Sequence, residues 1–84
     1  MNIGGQLIWE RAFIEAMRQV EEELNRIDPQ SVDRKRLYQR INTAVVANIK
    51  MLDRLDDESR RQQVKSIFRE MLNYEILNGK RWSN

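Results

Sequence analysis

Cysteine and histidine are both absent from the 84 residues. The first absence excludes disulfides as a source of stability. The two together exclude the usual nitrogen and sulfur ligation of a transition metal. They also remove the side chain most used for proton transfer near neutral pH and the readiest covalent nucleophile. Glycine occurs only three times and proline once, too few turn formers for a β-sandwich. No apolar run approaches the roughly 20 residues that span a bilayer. The opening Met1–Gln6 has no basic region before Glu10 and Arg11, and Asn2 stands where myristoylation requires glycine. The reading therefore expects no secretory signal, no acyl anchor and a cytoplasmic location.

What remains is helix-forming material, 33% charged and 40% hydrophobic. The charge is unevenly spread: residues 1–30 hold six acids and three bases, residues 31–84 twelve bases and seven acids. Eleven of the fifteen bases are arginine.

Hydrophobic periodicity marks three amphipathic segments. In the first, over 6–27, Trp9, Phe13, Ala16, Met17, Val20, Leu24 and Ile27 fall in one arc about 100° wide. It ends at Asp28-Pro29, because proline lacks the N–H and disfavours helix in the residue before it. Asp28 or Ser31 can cap the second segment, 31–56, whose stripe is Leu37, Ile41, Ala44, Val45, Leu52 and Leu55. Tyr38, Ile49 and Met51 widen that stripe.

From Asp33 to Asn78 there is neither glycine nor proline, so one long helix has to be weighed. Phase opposes it: extending the Leu52–Leu55 stripe lands on Ser59, Gln62 and Ser66, and the apolar pattern restarts at Val64, Phe68, Met71 and Leu72. A break is expected at Asp56–Ser59, with Ser59-Arg60-Arg61-Gln62 as a capping box. The third segment, 59–78, should stop at Asn78-Gly79 and leave a tail over 80–84. The expectation is a single all-α domain, a helical hairpin or three-helix bundle. At this length an intrachain core is marginal, so association with another chain is expected as well.

No catalytic, metal or cofactor site and no small-molecule substrate is expected. Asp53, Asp56, Asp57 and Glu58 lack the glycine and spacing of a calcium loop and read as a solvated junction. Gly4-Gly5-Gln6 spells the tripeptide of peptide-chain release factors without that family's surrounding domain. In Leu37-Tyr38-Gln39-Arg40 a glutamine interrupts the Leu-Tyr-Arg signature of small helical assembly factors. Neither assigns a family.

Three features could carry function. The first is a second apolar ridge on the first helix. Leu7 and Ile14 lie one heptad apart on a line well away from the main stripe, with Ile8 between and Trp9 beside them. Apolar and aromatic side chains so placed suit a protein partner, a second copy or another chain. The second is an arginine-rich pole, where Arg34, Lys35, Arg36 and Arg40 open the second helix and an up-down-up path brings Lys80 and Arg81 close. Such a pole suits phosphate, hence nucleic acid, unless Glu21, Glu22 and Glu23 neutralise it. The third is Asn48, in the middle of an apolar seam. There it either sets register between helices or bonds a nearby carbonyl. The expected function is that of an oligomeric adaptor, or of a regulatory or inhibitory subunit docking on a larger protein. Small cofactor-free helical chains of this kind are common among phage and plasmid modulators. The alternative is a nucleic-acid-binding regulator.

Overall fold

The computed structural model describes the backbone of residues 3–27 and 32–82, with side chains over 9–27 and 32–79. Four helices account for nearly all of it: α1 Ile3–Arg26, α2 Arg34–Ala47, α3 Ile49–Arg54 and α4 Asp57–Trp82. Among the described residues there is no strand.

Each boundary has a local cause. The expected caps Asp28 and Ser31 lie outside the described residues. The visible cap of α2 is Asp33, whose carboxylate accepts the Arg36 N–H at 3.2 Å, so this helix starts at residue 34 rather than 31. Between α2 and α3 the ladder falters at Asn48, whose N–H is shared by the Ala44 and Val45 carbonyls. The long-helix alternative fails at Leu55, which is extended (φ −81°, ψ 154°). Helix α4 then begins two residues earlier than the expected 59. Asp56, not Ser59, is its cap, accepting the Ser59 N–H at 2.8 Å. A carboxylate at that position also suits the helix dipole better than a hydroxyl. At the other end the helix passes through Asn78 and Gly79 to Trp82. Glycine stops a helix when it takes a left-handed conformation, and no described glycine has positive φ.

Side-chain pairings give the path. Arg60 lies over Trp9, Phe13 meets Phe68 at 6.0 Å, and Glu23 shares a hollow with Asn73. Helices α1 and α4 therefore run in the same direction. Arg40, early in α2, pairs with Glu75 late in α4, and Leu52 in α3 meets Arg60 early in α4, so α2 and α3 run the opposite way. Helix α4 packs along both α1 and α2, whereas α1 and α2 make no comparable approach to each other. The result is 50 Å long and about 20 Å across.

One core runs through it. Ala12, Ala16, Val20 and Leu24 come from α1, Leu37, Ile41 and Val45 from α2, Leu52 from α3, and Val64, Ile67, Phe68 and Leu72 from α4. Ala12 and Ala16 are fully buried, and their small side chains let α4 lie close to α1. Val32 closes the end of the core.

Candidate interaction surface

The side of α1 turned from α4 is built by the same 3.6-residue period that builds the core. With Ala12 and Ala16 against α4, Ile14 falls about 160° away round the helix. It is 57% exposed. Phe13, Ile14 and Met17, with Arg18 and Glu21, line a shallow hollow of about 480 Å³ formed by α1 alone. Phe13 is only half-buried: one side stacks on Trp9 at 5.7 Å and meets Phe68, and the other borders this hollow.

Of the residues expected on this ridge, Ile14 is exposed and Trp9 half-buried. Trp9 faces inward far enough to stack on Phe13 and to receive the Arg60 guanidinium 5.3 Å from its ring. The side chains of Leu7 and Ile8 lie outside the described residues.

The arginine-rich pole is divided. Arg34, Lys35 and Arg36 are exposed on the first turn of α2, with Arg36 3.9 Å from its cap Asp33. Arg40 turns inward instead. Its guanidinium sits 4.7 Å above the Tyr74 ring, and its Nε faces a carboxylate oxygen of Glu75, a residue only 3% exposed. Neither facing atom has a further partner among the described residues. The side chains of Lys80 and Arg81 lie outside the described residues, although their backbone continues α4. Among the described residues Glu21, Glu22 and Glu23 form no ion pair with this pole; Glu23 lies 3.7 Å from Arg26. Asn48, half-buried, donates its side-chain amide to the Ala44 carbonyl at 2.7 Å.

The bases that open α4 serve the fold. Arg60 donates to the carbonyls of Leu52 (3.0 Å), Asp53 (3.3 Å) and Leu55 (3.0 Å), capping the C-terminal end of α3. Arg61 grips both carboxylate oxygens of Glu15 at 2.8 and 3.0 Å, with Lys65 3.3 Å away. The Arg61 hydrogen bonds hold the Glu15 carboxyl below its ordinary value of 4.5, outweighing the opposing effect of desolvation. They likewise raise Arg61. Asp56 is held low by the Ser59 N–H that it caps.

Sequence reasoning missed Arg60, Glu75 and Glu15 as individual partners. Glu75 had a legible signal: it continues the Phe68–Leu72 stripe at helical spacing, where an acid requires a cation. Arg60 had none, because its partners are backbone carbonyls that only the break at Leu55 frees.

Among the described residues no three potential metal-ligating side chains come together, and no helix is long and apolar enough to cross a membrane. No family model matches the chain, and searches of curated proteins and of solved structures gave no significant match.

Proposed function

We propose that this chain is a non-enzymatic, cytoplasmic, helical protein–protein interaction module that works through the outer face of α1. It would act as an oligomeric adaptor or as a regulatory or inhibitory subunit docked on a larger protein. One observation carries the reading: Phe13, Ile14 and Met17 line an apolar hollow on α1 to which no other helix contributes a lining residue, and Ile14 points away from α4. Burial of such side chains against a partner is favourable by about 25 cal/mol per Å². A small core leaves the fold reason to gain stability from an added surface.

The test separates surface from core. Replacing Ile14 with serine should abolish binding of the partner, its own copy included, while the helical circular dichroism stays unchanged. Replacing Gln63, exposed on α4, with serine is the control and should bind as wild type. Equal binding by both variants would place the contact elsewhere.

A second reading rests on Arg34 and Lys35, exposed with no ion-pair partner among the described residues. In it the chain binds nucleic-acid phosphate at the start of α2. Such binding weakens steeply with salt, whereas the apolar contact does not. A wild-type chain that shifts neither DNA nor RNA at low salt eliminates this reading.

A further inference from the structure

The outer face of α1 carries charge in two lines, one on either side of the exposed Ile14. At 100° per residue, Glu10 and Glu21 lie about 20–40° to one side of Ile14, and Arg18 and Arg11 about 40–60° to the other. All four are exposed. None forms an ion pair among the described residues, whereas Glu15 on the next flank is held by Arg61 and Lys65. The face is thus Ile14 between an acidic line and a basic line, with Met17 and Phe13 beyond the acids and Glu22 beyond the bases.

We propose that the partner on this face is a second copy of the chain, α1 against α1, with the two helices parallel. The proposal rests on the reading of this face as the contact surface and adds its occupant and orientation. The charge pattern decides both. A two-fold axis along the helices turns the acidic edge of one copy to face the basic edge of the other, so Arg11 and Arg18 meet Glu10 and Glu21 of the second copy. An axis across the helices gives an antiparallel pair in which acid faces acid and base faces base. Opposite charges at the edges of an apolar seam set partner choice and orientation, and like charges there oppose pairing. Asn25 continues the line of Ile14 three turns on and, in the parallel pair, lies beside its own counterpart. Because α4 covers the opposite side of α1, the body of each copy stays clear of the other.

The absence of cysteine makes the test clean. Asn25→Cys, under mild oxidation, should give a disulfide-linked dimer on a non-reducing gel, while the control Gln63→Cys should not. An antiparallel pair centred on Ile14 would hold the two introduced thiols about 33 Å apart and leave them unlinked. Light scattering supplies the second arm. Arg11→Glu/Arg18→Glu and Glu10→Arg/Glu21→Arg should each be monomeric alone, and an equimolar mixture should recover the dimer mass.

A wild-type chain that stays monomeric at millimolar concentration overturns the second copy as partner, yet leaves the α1 contact surface answerable through Ile14→Ser and a different protein. A dimer that ignores both charge reversals and fails to link through Asn25→Cys overturns the proposal too, and places self-association on another face. A dimer unchanged by Ile14→Ser would defeat both readings together.

Discussion

Arg40 and Glu75 are bound to each other but stand in different surroundings, and their loss should differ accordingly. Glu75 is almost fully buried, while the Arg40 side chain is 39% exposed. Arg40→Leu strands a carboxylate in the core, and an unpaired buried charge costs about 3–5 kcal/mol. Glu75→Leu lets the guanidinium swing into water over Tyr74 and should cost about 1 kcal/mol, the scale of one hydrogen bond. The double replacement should recover most of the larger loss, since an apolar pair can substitute for a buried ion pair. Urea unfolding of the three variants measures this, and equal losses in the two single variants would contradict the asymmetry. Arg60 presents a different case. One guanidinium serves three carbonyls and covers Trp9. Arg60→Ala should destabilise by about 2–3 kcal/mol, the range for hydrogen bonds to a charged group. Arg60→Lys should restore only part, because an ammonium cannot span the same fork; full recovery in the lysine variant would show that charge alone matters.

At the scale of the element, the decisive feature is the two-residue turn Leu55–Asp56 between α3 and α4. A chain without glycine or proline from Asp33 to Asn78 can turn there because α3 leaves carbonyls for Arg60 and α4 leaves an N–H for Asp56. Helix ends that find such partners lose little relative to an uninterrupted ladder. The phase slip between Leu55 and Val64 made the break legible in sequence. Its position was displaced toward Ser59 because a capping box was visible in sequence and the arginine clasp was not. Asp56→Ala should therefore loosen the start of α4, seen as faster amide exchange at Asp57–Ser59 with α1 unaffected. Unchanged exchange there would mean that Arg60 alone holds the turn. Asn78-Gly79 teaches the converse: a stop signal acts only if the glycine takes up the left-handed conformation, and here the i→i−4 ladder continues instead.

For the whole molecule, the Glu15–Arg61 pair between α1 and α4 and the Asp56 cap of α4 contribute pH dependence. Glu15 and Asp56 both have folded-state pKa values below their ordinary values of 4.5 and 3.8. A carboxylate depressed on folding contributes stability that is fully present above its unfolded value and is lost as pH falls through its folded value. The chain should thus hold its stability from neutral pH down to about 4.5 and lose it progressively below that. Glu15→Gln should narrow its gap from wild type as the solution is acidified, since below its folded pKa wild-type Glu15 is neutral too. A gap that stays constant from pH 7 to pH 2 would mean that the Arg61 pairing is absent in solution.

The all-helical class, the inward stripe of each segment, the break after Leu55 and the outward position of Ile14 were all legible from the period of apolar residues, because a helix places every third or fourth side chain on one face whatever surrounds it. Periodicity cannot say which charged residue meets which across helices. Arg40, Arg60 and Arg61 look alike along the chain, yet packing turns one toward a buried acid, one toward orphaned carbonyls and one onto a neighbouring helix. Only the tertiary structure decided that, because an arginine's role is set by which charges and unsatisfied carbonyls the fold brings within its reach.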